Sequence, residues 1–268
     1  MKSGFPQTLA SRAVPPRRRP LLLAGAALLA ASVSLAALAA PDTVRIVTEQ
    51  NPPANYAENG KLTGFCTEVV EAVLLEIGVR GSFEVMPWAR AYATALRAEN
   101  VLIYSIIRTP EREAQFKWVG VVGPNDASYL FSLRGRGIKL DTLDDAKRYR
   151  IGTVNDDVRE QYLTSKGFVK GTNLQGSAKS EVPYEKLKLG RVDLWAMSEL
   201  VATNLVRRAG DDPDKVLERV YRLADLGNDG SYMAFGTKTP DRMVERFRQG
   251  LEAVKKSGKF EALKKKWF

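Results

Sequence analysis

The chain has no histidine and one cysteine, Cys66, among its 268 residues. Zinc centres built on His or Cys are thereby excluded, as are Ser-His and Cys-His catalytic dyads. A single cysteine forms no internal disulfide, so any fold outside the cell must rest on its hydrophobic core. Cys66 falls in helical register with Val69, Val70, Val73, Leu74 and Ile77, which reads as a small core residue. Beyond residue 40 there is no internal repeat, no low-complexity tract and no apolar run long enough to span a bilayer. Hydrophobic content of 44% with 27% charged residues is that of a globular domain. The net charge of +10 overstates the basicity. Lys2, Arg12, Arg17, Arg18 and Arg19 lie in a first stretch that holds no acid. Without them 36 basic residues face 31 acidic ones, a scattered +5 that makes no case for nucleic acid.

That first stretch reads as an export signal. A basic, Pro-containing segment precedes the uncharged Leu21–Ala40, which ends in Ala37-Leu38-Ala39, a small-x-small cleavage pattern. Residues 1–39 are expected to be removed, leaving a mature periplasmic protein without a membrane span. Arg17-Arg18-Arg19 suits either the twin-arginine or the general route.

The mature chain alternates strands and helices. Strands are expected at Val44–Thr48, Gly81–Met86 and Val101–Ile107, with helices at Cys66–Ile77, closed by Gly78, and from Pro87-Trp88 to Ala98. This order implies parallel strands with right-handed crossovers. Tyr129–Leu133 reads as an extended connector, after which the pattern restarts. Strand Arg150–Val154 leads to a helix capped by Asp156 or Asp157, with Asp157 and Glu160 forming a capping box. Helix Pro183–Leu189, strand Arg191–Met197 and helix Ser198–Arg208 follow; Val216–Leu223 suits a helix or a strand. Extended Ser231–Gly236, a long helix after Thr239-Pro240 and a basic helix Lys259–Phe268 finish the chain. The expected fold class is α/β, with two lobes, each a small, mostly parallel sheet flanked by helices. Lobe 1 is expected at 42–130 and 233–268 and lobe 2 at 131–232. Two crossings make a hinge, and the groove between lobes is the natural ligand site.

Val101–Arg112 draws attention within this scheme. A buried strand ends in Tyr104 and Ser105, and Thr109-Pro110 opens a short helix that carries Arg112. Hydroxyls and a guanidinium then stand at the carboxyl end of a strand, where open α/β sheets bind ligands. Arg112 has the donor fork to grip a carboxylate, and equally suits a solvated ion pair with Glu111 or Glu113.

Motif order and spacing over nearly the whole mature chain resemble the extracellular solute-binding proteins, family 3, which serve ABC transporters of polar amino acids. The resemblance rests on Thr48-Glu49, Pro52-Pro53, Asn59-Gly60-Lys61-Leu62-Thr63-Gly64-Phe65, Trp88, Ser105 and Thr109-Pro110-Glu111-Arg112. Gly190-Arg191-Val192-Asp193 and the terminal Lys-Lys-Lys-Trp-Phe extend it. It implies a type II periplasmic-binding-protein fold. It also implies a carboxylate grip by Arg112 and Ser105 beside Tyr104, an acid at the cleft mouth at Glu49, and aromatic walls from Tyr56 and Trp88. From lobe 2 it adds Asn155, Asp156 and Ser198, although Ser198 also suits an N-cap.

Two departures stand out. Where the family brings a Gly-Thr-Thr-like turn, this chain has Asn155-Asp156-Asp157, and where an acid often takes the ligand's amino group it has Ser198. A ligand with a cationic end facing Asp156 and Asp157 would reconcile them. The expected function is a monomeric periplasmic receptor that closes over a small polar solute, an amino acid or related amine or carboxylate. Its partner would be an inner-membrane ABC permease, with no cofactor, metal or nucleic acid. Alternatives are a dehydratase-like enzyme relying on Glu49 and Asp156 as acid and base, and a sensor docking on a signalling receptor.

Overall fold

The computed structural model describes residues 43–226 and 229–268. The expected leader at 1–39 lies outside them. No described helix is long and apolar enough to cross a membrane.

The strands are β1 (Thr43–Thr48), β2 (Tyr56–Glu58), β3 (Lys61–Thr63), β4 (Arg80–Val85), β5 (Val101–Ile107), β6 (Phe116–Gly123), β7 (Ser128–Leu133), β8 (Ile151–Val154), β9 (Leu174–Ser177), β10 (Leu194–Ser198), β11 (Leu217–Arg222) and β12 (Ser231–Gly236). They form a β2-β3 hairpin and two five-stranded sheets, ordered β4-β1-β5-β12-β6 and β11-β7-β10-β8-β9. Within the first sheet β1 runs parallel to β4 and β5, and β12 antiparallel to β5 and β6. Within the second, β8 runs parallel to β9 and β10, and β7 antiparallel to β10 and β11. The two sheets are thus built on one plan, each with a single strand reversed. That strand is the one the chain reaches directly after a crossing.

The expected lobe boundaries need correcting. A break at 130/131 would cut β7, which pairs wholly within the second sheet, and a break at 232/233 would cut β12 in the first. The crossings fall between β6 and β7 and between β11 and β12. Tyr129–Leu133 is sheet rather than connector because its Leu and Phe side chains need a partner strand to be buried. Val216–Leu223 resolves into strand β11. Strands β6 and β9 escape sequence reading for different reasons. Gly120 and Gly123 punctuate β6, and β9 is four residues of Leu-Gln-Gly-Ser at a sheet edge.

Helix Phe65–Ile77 buries Phe65, Cys66, Val69, Val70, Val73 and Leu74 against the first sheet, and Gly78 closes it in the left-handed conformation. Cys66 is therefore a core residue, and burial pushes its thiol up to about 11. Helix Asp241–Lys256 covers the same core through Val244, Phe247, Leu251 and Val254. A second cluster runs without a break from Val47, Trp88 and Ile103 of lobe 1 to Val154, Trp195 and Val201 of lobe 2, so the lobes are closed on one another.

The loop between β1 and the first helix is held by Gly64, whose φ of 117° and contact with the Ala54 carbonyl leave no room for a side chain. A Cβ there would lie 2.4 Å from that oxygen. Gly64→Ala is expected to lose about 2 kcal/mol or more of stability, measured by urea denaturation.

Candidate ligand site between the lobes

The carboxyl ends of β1 and β5, both crossing segments and the starts of helices Val158–Ser165 and Glu199–Arg208 surround one cleft with about 770 Å³ of empty space, its open mouth included. Glu49, Trp88, Ser105, Arg112 and Ser198, all expected at the site, line it. Asp126, Ser128, Asp157, Arg159 and Ser231 join them.

Arg112 sits in the single helical turn Pro110–Glu113, with Thr109 at the N-cap position and Pro110 first in the helix. It is only 1% exposed. Nε donates to Gln161 Oε1 of the opposite lobe at 3.0 Å, and Nη1 to the Ile107 carbonyl at 3.1 Å. The guanidinium carbon lies 5.0 Å from the Tyr92 ring and 5.7 Å from the Trp88 ring. Nη2 is buried with no hydrogen-bond partner among the described residues. Burial away from water opposes this charge and lowers its pKa, with Tyr92 and Asp157 acting the other way.

Ser105 is aimed by a backbone irregularity. On β12, Tyr232 pairs with Ile106 and Met233 with Tyr104, so Ser105 is the extra residue of a bulge. Its φ is +60°, unusual for a residue with a side chain. Its Oγ, like Arg112 Nη2, is buried and unpartnered. Tyr104, expected beside it, is not at the site. Its side chain lies in the lobe 1 core, where its hydroxyl shares a 2.9 Å hydrogen bond with Thr67 Oγ1.

Several expected contacts fall elsewhere. Tyr56 does not line the cleft. It stands on the hairpin, edge-on to Trp267 and 4.8 Å from the Arg208 guanidinium, which also pairs with Glu58. Asn155 lies over β9, its Oδ1 filling the space beside Gly176. The Asp156 carboxylate is half exposed and pairs with Lys170 at 3.3 Å. What Asp156 presents to lobe 1 is its carbonyl, which accepts from Trp88 Nε1 at 3.0 Å and from Gln161 Nε2 at 3.1 Å.

Asp157 is buried, and it caps its helix by accepting from the Glu160 N–H at 2.8 Å. Glu160 returns a bond to the Asp156 N–H at 2.7 Å, one residue earlier than a standard capping box. Asp157 Oδ2 also takes Arg159 Nε at 2.8 Å and Nη2 at 2.5 Å. The expected pair of free carboxylates awaiting a cation is therefore absent: one acid is turned outward and the other is already neutralised.

Ser198 occupies the N-cap position of its helix without making the capping bond. Asp126, from the first crossing, makes it instead, accepting from the Leu200 N–H at 2.9 Å. Burial pushes the Asp126 carboxyl up, against the pull of Leu200 and Ser198. Sequence reading missed Asp126 and Arg159. Arg159 did leave a signal: a cation in a helix's first turn opposes the helix dipole and asks for a reason.

Glu49 meets lobe 2 at the cleft mouth, where the Ser180 hydroxyl is shared between Glu49 Oε2 at 3.1 Å and the Gln50 carbonyl at 2.9 Å. Burial and then the nearby Asp157 charge push its carboxyl up to about 8.

A model of the bacterial extracellular solute-binding proteins, family 3, matches residues 44–268, and the chain belongs to that family. Among similar proteins is the L-cystine-binding protein TcyJ of Escherichia coli, 24% identical over 81% of this chain and 79% of its own length. Another is the lysine/arginine/ornithine-binding periplasmic protein of Escherichia coli, 24% identical over 89% of this chain and 91% of its own length. An ancestral arginine-binding protein bound to arginine superposes with a TM-score of 0.72 at 22% identity, covering 84% of this chain and 98% of that one. A histidine kinase sensor domain does so with a TM-score of 0.72 at 20% identity, covering 85% and 96%. The fold is that of the type II periplasmic binding proteins.

Glu49 carries a pH signature. It holds its proton in the closed form up to about 8 and, once solvated, only to the usual carboxylate range. The closed form thus binds more protons between those limits. Its advantage is full in acid and is lost as pH rises through about 8. Glu49→Gln is expected to flatten the pH dependence of the melting temperature between about 4.5 and 8, read by differential scanning fluorimetry.

Proposed function

We propose that the exported protein captures a small carboxylate-bearing solute, an amino acid or a related acid or amine, between its lobes and hands it to an inner-membrane ABC permease. The observation that carries this is a pair of buried, unspent donors, Arg112 Nη2 and Ser105 Oγ, facing one cleft. A buried donor without an acceptor forfeits roughly 1–3 kcal/mol, and more when charged. A carboxylate answers both donors at once, and its two oxygens suit the fork of an arginine. Closure follows from the same geometry. Arg112 reaches Gln161, Trp88 reaches the Asp156 carbonyl and Ser180 reaches Glu49, so each lobe completes contacts begun by the other. A ligand that touches both walls shifts the population toward this state.

The protein acts as a monomeric receptor rather than an enzyme. Among the described residues Glu49 is held by Ser180 and the Asp156 carboxylate is turned outward onto Lys170, so neither stands as a free general base. Bound solute is expected to be recovered chemically unchanged.

Calorimetry on the mature protein against amino acids, amines and small acids tests the reading. A solute that binds the wild type is expected to lose about 100-fold or more in affinity to Arg112→Gln and roughly tenfold to Ser105→Ala. Undiminished binding by Arg112→Gln would remove the carboxylate reading.

A further inference from the structure

We propose that the ligand is a dianion, with one carboxylate on Arg112 and Ser105 and a second anionic group on Arg159 from the opposite lobe. This deepens the carboxylate reading above and rests on it.

Arg159 is 9% exposed and lines the same cleft as Arg112. Two of its three guanidinium nitrogens, Nε and Nη2, go to a single oxygen of Asp157. Nη1 makes no hydrogen bond to a described residue. Its charge is felt on both walls: it helps pull down the carboxyls of Glu49 and Asp126, and it works against the charge on Arg112.

Unspent donors stand on both walls of the cleft. Arg112 Nη2, Ser105 Oγ and Arg159 Nη1 are unspent. The acids are engaged: Glu49 by Ser180, Asp126 by the Leu200 N–H, and Asp157 by Arg159 and the Glu160 N–H. Burial pushes the Glu49 carboxyl up to about 8 and the Asp126 carboxyl up from its ordinary value. Two anionic groups would find guanidinium donors on both walls. The start of helix Val158–Ser165 points the same way, since its positive end lies against the cleft at Val158. Short dicarboxylates and acidic amino acids have this chemistry.

The test measures affinities of the mature protein for glutarate and L-glutamate as dicarboxylates, pentanoate as a monoanion and L-arginine as a cationic amino acid. One or both dicarboxylates are expected to bind the wild type roughly 10- to 100-fold more tightly than pentanoate or L-arginine. Arg159→Gln should cost the dicarboxylates roughly tenfold or more beyond what the bared Asp157 charge costs pentanoate, and Arg159→Lys should recover part of the loss. If Arg159→Gln fails to fold because Asp157 is left buried and unpaired, Asp157→Asn/Arg159→Gln replaces it with the same expected loss. The proposal is overturned if neither dicarboxylate binds, if pentanoate or L-arginine binds as tightly, or if removing Arg159 weakens mono- and dianions equally. In the last two cases Arg112→Gln still judges the carboxylate reading separately, because it should weaken binding of every carboxylate in the panel by about 100-fold or more.

Discussion

The structure turns on one buried guanidinium. Arg112 is held almost entirely out of water with one donor unsatisfied, a condition that a folded protein tolerates only where something else completes it. Its surroundings serve that charge. Tyr92 and Trp88 turn ring faces toward it, Ile107 gives a carbonyl, and Gln161 comes from the other lobe to accept from Nε. Since the helix that carries Gln161 also carries Asp157 and Arg159, the position of lobe 2 is tied to the position of this one side chain. Under the proposed carboxylate grip, recognition and closure are a single event.

Charge balance explains the departures of lobe 2 from the family pattern. Asp157 in place of a small polar turn residue would repel a carboxylate if it stood alone. With Arg159 two residues on, the turn presents a guanidinium edge and not a bare acid. The bonds to Asp157 stabilise Arg159 in the first turn, where the helix dipole disfavours a cation. Ser198, which replaces an acid, leaves the helix cap to Asp126. In each case a negative group is satisfied within the protein.

Much of this was legible in the sequence, and the reasons differ by residue. Arg112 and Ser105 could be placed because strand, N-cap and Pro at the first helical position are local signals. The two-lobed α/β pattern was legible from alternating periodicities, and Cys66 from its register with Val69, Val70 and Val73. Tyr104 and Ser105 are adjacent, yet only one faces the cleft. A bulge on the pairing with β12 decides that, and no local pattern announces it. Tyr56 was drawn away by Trp267 and Arg208, which lie about 150 or more residues further along the chain. Asp156 and Asp157 read alike in sequence, but a φ of +59° at Asp156 turns its carboxylate outward. The crossings were misplaced for a similar reason, since β7 and β12 declare their sheet only through non-local pairing.

The most direct measurement is the distance between the lobes in solution. Leu75 and Leu189 are among the most exposed large side chains and lie on different lobes, while Cys66 is buried with a thiol pushed up to about 11. Spin labels on Leu75→Cys and Leu189→Cys therefore report the lobes alone. The account predicts a broad or two-peaked distribution without ligand that collapses to one narrow peak when a saturating carboxylate is added, and no collapse when Arg112→Gln is introduced. A distribution that ignores the ligand, or that narrows equally without Arg112, would contradict it.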